Sequence, residues 1–404
     1  MAEIITFGCR LNACESDIIE EFAEQLGISN DYTIINTCAV TAEAERQLRQ
    51  KIRQLFRQNP EIKIILTGCA SALDPDFYLQ MDGVVGIIAN DKKLSKAEYE
   101  IYGSDSFEKK NLSNKKVRGF LQIQNGCDNF CTYCVVRLTR GAAKSFSADE
   151  IIFQARNLIK KGFKEIVLTG VNISSYGKEA GATLNFSALI QKILRDVPEL
   201  NRLRLSSLDP ADIDDELISL FANEEKLMPH IHESIQSGDN MILKRMRRKH
   251  SREMVIDTNS KLLSKRPEII FGADMIAGFP TENDEMFENS RKLLIEANLS
   301  LLHAFPYSQR PGTPAALMPQ VQKKISVNRA KILRETSAEL LQSTISKYVG
   351  KHIRVLAETE FSAKTDSFLP VTSSNSMIPG QEYNFRCEKI ENQMLKGEAC
   401  DVIS

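Results

Sequence analysis

Short runs of β-branched and apolar residues alternate with helical patterns along most of this chain, and this alternation limits its fold more than any other feature. In residues 3–90 the runs EIITF, YTIIN and IKIILT are each followed by a helix-like segment. Strands that alternate with helices form parallel sheets, because a parallel crossover needs about a helix's length of chain. We therefore predict an α/β fold that begins with an open parallel-sheet domain over residues 1–91.

The same rhythm resumes after a polar segment, residues 92–117, which we interpret as a linker. Six strand-like runs follow before residue 310: GFLQIQ, EIVLT, RLRLS, IHESIQ, IIFGADMI and LSLLHAF. Six parallel βα units predict a full or partial barrel with its site at the carboxyl ends of the strands. This unit, with a trailing amphipathic helix, covers residues 118–345, and short strand-like runs predict a small β-barrel over residues 346–404.

The composition excludes several classes of protein. Apolar residues make up 42% of the 404 residues and charged residues 26%, which excludes disordered and collagen-like chains. No stretch approaches the about 18 to 20 apolar residues that cross a bilayer, and MAEIITFGCR does not resemble a targeting segment. We therefore expect a cytoplasmic protein with no membrane partner, whose reduced cysteines bind metal more often than they form disulfides.

Three of the nine cysteines follow the three N-terminal strand-like runs, as Cys9, Cys38 and Cys69. The carboxyl ends of parallel strands share one edge of an open sheet, where ligands bind. We therefore expect these thiols to converge at that edge. Three unrelated buried cysteines are the alternative.

Another three cysteines lie in the single loop GCDNFCTYC, as Cys127, Cys131 and Cys134. A closed zinc site needs a fourth protein ligand, and no His or Cys completes the set nearby, so zinc is the weaker alternative. A cubane iron–sulfur cluster accepts one thiolate on each of four irons. Three thiolates leave one iron open, which can bind the amino and carboxylate groups of S-adenosylmethionine and reduce its sulfonium. We therefore predict radical chemistry supplied by the cofactors.

This loop, at the end of the first strand of a six-unit βα barrel, resembles that of the radical S-adenosylmethionine superfamily. The chain also resembles the methylthiotransferases over nearly its whole length, in NTCAVTAEAER, TGCAS, EIVLTGVNISSYG, RLRLSSLDP, SIQSGDNMILKRMRRKHSRE and AFPYSQRPGTPAA. The resemblance implies a radical-SAM (βα)6 partial barrel and a C-terminal TRAM-like RNA-binding β-barrel. It also implies two [4Fe-4S] clusters, the second of them on Cys9, Cys38 and Cys69.

The segments NTCAVTAEAER and TGVNISSYG look most like one branch of the family. That branch methylthiolates C2 of N6-threonylcarbamoyladenosine at position 37 of transfer RNA, and uses S-adenosylmethionine as methyl donor and as radical source. The alternatives are the same chemistry on isopentenyladenosine 37 or on a ribosomal-protein aspartate, and a two-cluster electron carrier. The implied partners are the tRNA anticodon loop and a flavodoxin- or ferredoxin-type electron donor, and we expect a monomer.

The resemblance further implies side chains that contact S-adenosylmethionine. Tyr133, inside the cysteine loop, lies where superfamily members place an aromatic ring against the adenine, and a core aromatic is the alternative. Gly170 and Asn172 lie where the loop after the second strand meets the methionine amino group, and polar contacts are expected from strands three to five, at Ser207, Gln236 and Asp274. Hydrogen bonding to backbone groups is the alternative for these side chains.

Positive charge is concentrated in two segments although the net charge is only −1. ERQLRQKIRQLFRQ and LKRMRRKH could bind phosphates by counterion release, and a solvated helix face is the alternative for each. The predicted RNA-binding residues are Arg245, Arg247, Arg248 and Lys249.

The chain departs from the family's usual pattern at two places. The run VVRLTRG places Arg137 and Leu138 where a proline and an aromatic residue are usual, and Glu233 stands where a leucine is commoner. These departures put the shape of the loop in question and leave the reaction class unchanged. The cysteines outside both groups, Cys14, Cys387 and Cys400, are expected to serve packing or to be incidental.

Overall fold

The computed structural model describes residues 1–103, 117–179 and 182–403. The N-terminal domain has a four-stranded parallel sheet in the order β1-β2-β3-β4. Its elements are β1 (Glu3–Thr6), α1 (Arg10–Gln25), β2 (Tyr32–Thr37), α2 (Ala42–Gln58), β3 (Lys63–Gly68), α3 (Cys69–Leu73), α4 (Pro75–Leu79) and β4 (Val84–Ile87). The first three strands confirm the predicted α/β domain. β4 was not expected, because VVGI is short and contains a glycine, which weakens a strand signal.

The start of the predicted linker is packed against this domain. Lys96–Tyr102 forms a 3-10 helix, and Tyr99 within it is fully buried, with its ring centroid 5.8 Å from that of Phe22 on α1. A single buried tyrosine in a polar segment gives no periodic signal, so the sequence pattern did not show this packing. The remainder of the predicted linker, residues 104–116, lies outside the described residues.

The central domain is an incomplete barrel of two three-stranded parallel sheets, in the orders β5-β8-β9 and β10-β11-β12. An isolated parallel bridge between Leu208 and Glu233 joins the two sheets. The strands are β5 (Arg118–Gln122), β8 (Glu165–Thr169), β9 (Leu203–Leu205), β10 (His230–Gln236), β11 (Ile270–Ala277) and β12 (Leu299–Pro306), and the short strands β6 (Gln124–Asn125) and β7 (Lys144–Ser145) pair beside the barrel. All six predicted barrel strands are therefore confirmed.

Helices cover the outside of the barrel and bury the outward faces of its strands. Ile166 and Leu168 of β8 and Leu203 and Leu205 of β9 are almost completely buried in the largest core. The helices are α5 (Val136–Arg140), α6 (Ala148–Lys160), α7 (Phe186–Asp196), α8 (Asp215–Asn223), α9 (Asn240–Met246), α10 (Arg252–Lys265), α11 (Asp284–Glu296) and α12 (Lys323–Ser346). Within the described ranges, none of the helices has both the length and the hydropathy that a bilayer crossing requires.

The C-terminal domain is a closed five-stranded barrel in the order β13-β14-β15-β17-β16, with β13 also paired to β16. Its strands are β13 (His352–Ala357), β14 (Ser362–Thr365), β15 (Pro370–Ser373), β16 (Glu382–Glu391) and β17 (Met394–Ile403). Val355, Phe385 and Leu395 fill its interior, and Ile345 at the end of α12 packs on the same core. The predicted small β-barrel is therefore confirmed, and it is joined to the central domain through α12.

Candidate functional site

The carboxyl ends of β1, β2 and β3 bring Cys9, Cys38 and Cys69 to one edge of the N-terminal sheet. β2 and β3 stay in parallel register to their last residues, so Cys38 and Cys69 follow neighbouring strand ends directly. Gly8 has φ +104°, and a Cβ added there would lie only 2.7 Å from Cys38 Sγ. Only glycine therefore lets the backbone before Cys9 approach Cys38 so closely. We call these three cysteines the N-terminal triad.

The sulfur atoms of the N-terminal triad lie in a partly desolvated environment. Burial raises the pKa of Cys38 to about 11, and the neighbouring Cys9 and Cys69 add to the effect. Cys38 is therefore protonated at neutral pH unless a cation is bound beside it. A metal or a cluster that binds here must displace that proton, so binding is favoured by higher pH.

A buried ion network supports the N-terminal triad. Arg140 makes two hydrogen bonds to the carboxylate of Glu15, at 2.7 and 3.0 Å, and Lys93 Nζ lies 2.5 Å from the same carboxylate. These three side chains are at most 4% exposed. Arg140 also donates to Asn12 Oδ1 over 2.7 Å. Because Arg140 ends α5, the helix that follows Cys134, this network connects the N-terminal domain to the loop of the second set of cysteines.

Asn90 makes a second connection between the same two regions. Its Nδ2 donates to the carbonyl oxygen of Thr139 in α5 over 2.6 Å and lies 3.9 Å from Cys69 Sγ. α5 therefore lies between the two sets of cysteines and contacts the surroundings of both.

Cys127, Cys131 and Cys134, which we call the barrel triad, lie in the loop after β5 and β6. The backbone N–H groups of Asn129 and Val136 each donate to a sulfur over 3.4 Å, and Arg248 Nη1 lies 3.6 Å from Cys131 Sγ. Each sulfur thus accepts from one donor, an arrangement that stabilises a thiolate. Burial raises the pKa of Cys134 to about 12, so cation binding must displace its proton as well.

The spacing of the sulfur atoms distinguishes between kinds of metal site. In the described part of the chain, His232, Asp274 and His303 form the one group of three metal-binding side chains whose donor atoms all lie within 4.8 Å of one another. A mononuclear zinc site holds its sulfurs about 3.8 Å apart, because Zn–S bonds measure about 2.3 Å. In each cysteine triad at least one pair of sulfur atoms therefore lies more than 4.8 Å apart. Three separated soft donors fit a cubane cluster, in which each thiolate binds a different iron.

Arg137, one of the two departures from the family pattern in the loop, stabilises it from outside. Its Nη1 donates to the carbonyl oxygen of Cys127 over 3.0 Å and to Asp128 Oδ1 over 2.7 Å. Its guanidinium carbon lies 4.2 Å from the ring centroid of Phe130. Leu138, the other departure, is 61% exposed and contributes little to the packing of the loop. The loop shape is therefore maintained by an arginine that folds back over it.

Tyr133 lies between the barrel triad and the core, where its side chain packs edge-on against Phe279 with ring centroids 6.4 Å apart. Burial and the neighbouring Cys131 raise the pKa of its hydroxyl well above the ordinary value. Gly170 and Asn172 begin the loop after β8. Gln124 Oε1 accepts from Asn172 N over 3.0 Å, so this loop is tied to the strand that carries the barrel triad.

The other three predicted contact residues lie at different heights in the barrel. Ser207 is half-buried just beyond β9, and Gln236 ends β10 with φ +73° beside a shift of register. A positive φ is uncommon for a residue with a side chain and indicates a constrained position. Asp274 lies in the middle of β11 rather than at its end. The structure therefore brings Ser207 and Gln236 to the mouth of the barrel and leaves Asp274 below it.

Asp274 joins a buried histidine, His232, to an exposed one, His303. His232 Nε2 lies 3.1 Å and His303 Nδ1 3.2 Å from Asp274 Oδ1. Burial opposes ionisation, but hydrogen bonds from both imidazoles hold the pKa of Asp274 below its usual range. The sequence analysis named Asp274 without these partners, because His232 and His303 come from two other strands.

The basic segment after β10 divides between two environments. Arg247 and Lys249 are exposed. The side chain of Arg248 is only 6% exposed, because its guanidinium contacts Cys131, Asp209 and the carbonyl oxygen of Ser234. Arg245 is half-buried and donates to Thr281 Oγ1 over 2.7 Å. Of the four predicted RNA-binding residues, Arg247 and Lys249 thus present their charge to solvent, and Arg248 faces the barrel triad.

Sequence reasoning missed a half-open cavity of about 330 Å³ on the inner face of β5, β8 and β9, where the three domains meet. The side chains around it come from all three domains: Arg10, Val117, Arg118, Phe120, Val167, Arg204, Glu358 and Phe368. One signal was present in RLRLS, where arginines alternate with leucines along a strand. Since the leucines face the core, the arginines must face the barrel interior.

Comparison with known proteins agrees with this architecture. Residues 121–294 match the radical SAM superfamily, and residues 1–89 match a family described as uncharacterized protein family UPF0004. The solved structure of TsrM from Kitasatospora setae, a radical S-adenosylmethionine methyltransferase, has a TM-score of 0.54 and 14% identity, and covers 76% of this chain and 67% of that one. At this identity the likeness shows the fold alone.

Several relatives match nearly the whole chain. The threonylcarbamoyladenosine tRNA methylthiotransferase MtaB of Rickettsia prowazekii is 46% identical over 98% of this chain and 96% of its own length. MtaB of Bacillus subtilis is 34% identical over 88% and 84%. The tRNA-2-methylthio-N(6)-dimethylallyladenosine synthase of Orientia tsutsugamushi strain Ikeda is 33% identical over 89% and 88%. The match to the radical SAM superfamily implies that the protein uses S-adenosylmethionine and a [4Fe-4S] cluster. The chain belongs to the radical S-adenosylmethionine tRNA methylthiotransferase family, in its threonylcarbamoyladenosine branch.

Proposed function

We propose that this protein transfers a methylthio group to C2 of N6-threonylcarbamoyladenosine at position 37 of tRNA. The near full-length similarity to MtaB supports the choice of nucleoside. The observation that carries the reaction type is the pair of open cysteine triads on either side of α5, connected through Arg140 and Asn90. A methylthio transfer needs two kinds of cluster chemistry near one substrate, and two triads with three thiols each meet that need.

The N-terminal triad would hold the second [4Fe-4S] cluster, and the barrel triad the cluster that binds S-adenosylmethionine. When bound, these groups supply reductive cleavage of S-adenosylmethionine and a methylated sulfur for transfer. The chain's own residues stabilise thiolates and fix the loops. At the barrel triad two backbone N–H groups and Arg248 do so, and at the N-terminal triad the ion network of Arg140 and Glu15 holds the surrounding elements together.

We assign the contacts to S-adenosylmethionine to the residues around the mouth of the barrel. Tyr133 lies beside Cys131, and the loops that begin at Gly170 and Ser207 follow neighbouring strand ends. Asn172 and Gln236 complete this set. Asp274 would act from a lower position, through its link to His232 and His303.

The substrate carbon explains why the proposed mechanism requires no acid–base dyad. C2–H of an adenine is an unactivated aromatic bond with no acidic proton, so the protein needs to orient the base and exclude water rather than remove a proton. Polar loops around an incomplete, helix-covered barrel suit that task.

RNA contact is proposed for the exposed Arg247 and Lys249, next to the loop after β10, and for the TRAM-like β-barrel. Phosphate contacts of this kind weaken as salt rises. A base in an anticodon loop is unpaired and can be splayed into a pocket. As a tRNA-modifying enzyme the protein would act in the cytoplasm, as a monomer that receives electrons from a flavodoxin- or ferredoxin-type donor.

The test uses anaerobically reconstituted protein, S-adenosylmethionine, a reductant and three tRNAs that carry adenosine, isopentenyladenosine or threonylcarbamoyladenosine at position 37. Nucleoside mass spectrometry should show a methylthio mass gain on the threonylcarbamoyl substrate alone. A gain on isopentenyladenosine instead would retain the chemistry and overturn the substrate. Formation of 5′-deoxyadenosine without any nucleoside product would overturn the proposed acceptor altogether.

A further inference from the structure

The cavity inside the barrel has a chemistry that the two cysteine triads do not explain. It holds the guanidinium groups of Arg10, Arg118 and Arg204, whereas Glu358 is the one carboxylate among its lining residues. A buried site usually balances its charges, because an unpaired buried charge is strongly disfavoured. Behind the lining, the fully buried Glu165 pairs with Arg118 and Arg204, and Glu358 pairs with Arg118. Arg10 is thus the lining guanidinium that has no ion pair with a carboxylate among the described residues.

Two of these guanidinium groups have N–H groups left over. Arg204 and Arg118 both pair with Glu165, with Nε to Oε1 distances of 2.7 and 2.6 Å. Yet Arg204 Nη1 and Arg118 Nη2 are buried and have no hydrogen-bond partner among the described residues. The side chain of Arg204 is completely buried, so its unpaired N–H groups cannot be satisfied by bulk water. These buried donors beside the cavity have no acceptor that the described residues supply, and a ligand reaches them only if the side chains around the cavity shift.

Phe368, from the loop between β14 and β15, closes the cavity at the side of the C-terminal barrel. Four cationic groups lie close to its ring centroid: Arg204 at 4.8 Å, Lys364 at 5.0 Å, Arg118 at 5.4 Å and Arg10 at 5.5 Å. Phe368 has φ +68°, a backbone conformation that is disfavoured for an aromatic residue. Burial and the three guanidinium groups, opposed by Glu358, lower the pKa of Lys364. The fold therefore keeps these four cations together despite the backbone strain at Phe368 and the repulsion between the positive charges.

The cavity lies below the mouth of the barrel. Phe120, Val167 and Arg204 are register partners on β5, β8 and β9. The row two residues further along, with Gln122 and Thr169, ends these strands, and two residues of strand measure about 7 Å. In threonylcarbamoyladenosine the carboxylate is separated from N6 by four bonds, a reach of about 5 Å, and a hydrogen bond from an arginine adds about 3 Å to that reach. An adenine at the mouth of the barrel could therefore extend its N6 substituent down to this row.

We propose that the cavity binds the carboxylate of the threonylcarbamoyl group, with Arg10, Arg118 and Arg204 as donors. This inference rests on the proposed function and deepens it. Guanidinium groups bind carboxylates through paired, charge-assisted hydrogen bonds. An isopentenyl group has no acceptor, and it would leave the buried donors unpaired. The same cavity thus favours the threonylcarbamoyl nucleoside and disfavours the isopentenyl nucleoside.

The first arm of the test changes the substrate. Anticodon stem–loops would carry threonylcarbamoyladenosine, its primary amide, which has the same size and no charge, or unmodified adenosine. Reconstituted enzyme should bind and convert the acid at least about tenfold better than the amide, as expected for a charge-assisted hydrogen bond. Binding is measured by fluorescence anisotropy and product by mass spectrometry. Equal use of acid and amide would overturn the carboxylate assignment and leave the proposed function intact, whereas no product from the acid would overturn the proposed function.

The second arm changes the protein. Arg10→Gln and Lys364→Gln should lower the preference for acid over amide toward one. Arg291→Gln, at a half-exposed arginine on α11 that pairs with Glu288, should keep it. Iron content is measured for each variant, because Arg10 directly follows Cys9 and its replacement could disturb the N-terminal triad. Lys364 belongs to the C-terminal domain, so Lys364→Gln tests the cavity without changing a residue next to either triad. If Arg10→Gln and Lys364→Gln weaken binding of all three RNAs equally, the anion is a backbone phosphate and the inference is wrong.

Discussion

The N-terminal triad is assembled from the ends of three strands that are far apart in the chain, whereas the barrel triad lies in one loop. Cys38 and Cys69 of the first are buried, and all three cysteines of the second are half-buried. The first is supported by an ion network with almost no exposure, and the second by backbone N–H groups and an arginine. The N-terminal triad can therefore form only after its domain has folded, while most of the barrel triad is specified locally.

The largest effect is expected from removing one ligand of each triad. Cys131→Ala should abolish both 5′-deoxyadenosine and methylthio product, because the barrel triad would hold the cluster that cleaves S-adenosylmethionine. Cys38→Ala should abolish the methylthio product and retain 5′-deoxyadenosine. Both products are measured in one assay, with iron content falling by about half in each variant, since each is expected to lose one of two equal clusters.

The control is Cys387→Ala, which removes a buried cysteine of the C-terminal barrel and should leave both products. Loss of 5′-deoxyadenosine in Cys38→Ala would show that the two triads do not act independently. It would contradict the assignment of S-adenosylmethionine cleavage to the barrel triad alone.

A smaller effect is expected in the folding stability around α5. Arg140→Gln leaves the fully buried Glu15 with Lys93 alone, and breaking a buried pair costs about 3 kcal/mol. Arg137→Gln on the same helix breaks a pair with the 59% exposed Asp128, which contributes under about 1 kcal/mol. Urea unfolding followed by circular dichroism gives the free energies of both variants. An equal decrease in the free energy of unfolding in both variants would show that the buried network and the exposed ion pair stabilise the protein to the same extent.

The smallest effect concerns the pH dependence of stability and Glu233 on β10. Burial raises the pKa of Glu233 to about 8. Between the ordinary carboxyl pKa and 8 the folded state therefore binds more protons than the unfolded state, so the free energy of unfolding falls as pH rises. Glu233→Gln should remove this slope and raise the melting temperature at pH 8 by about 4 °C, with little change at pH 5.

Thermal unfolding at both pH values checks this, with Glu339→Gln on the exposed side of α12 as the control. A variant that is no more stable than the parent at pH 8 would contradict the buried, protonated state of Glu233.

Periodicity and strand-end rules predicted much of this molecule. The barrel strands agree within one or two residues, because each is an apolar run bounded by turn residues, and the N-terminal triad followed from the position of its cysteines after three strands. Contacts between segments that are distant in the chain leave no periodic or positional pattern in the sequence, so they could not be predicted. Arg248 lies beside Cys131, and Phe368 beside Arg204, only because the folded chain brings together positions more than a hundred residues apart. A basic segment and a loop phenylalanine look the same in sequence whether they face solvent or a barrel interior.

Closure of the C-terminal barrel limits how that domain can meet a partner. β13 pairs with both β14 and β16, so the order β13-β14-β15-β17-β16 returns to its starting strand. A closed sheet offers no row of unpaired N–H and carbonyl groups to an extended peptide. The domain is thereby protected against edge-to-edge aggregation and against strand addition. Whatever docks on it must be held by side chains and loops rather than by strand pairing.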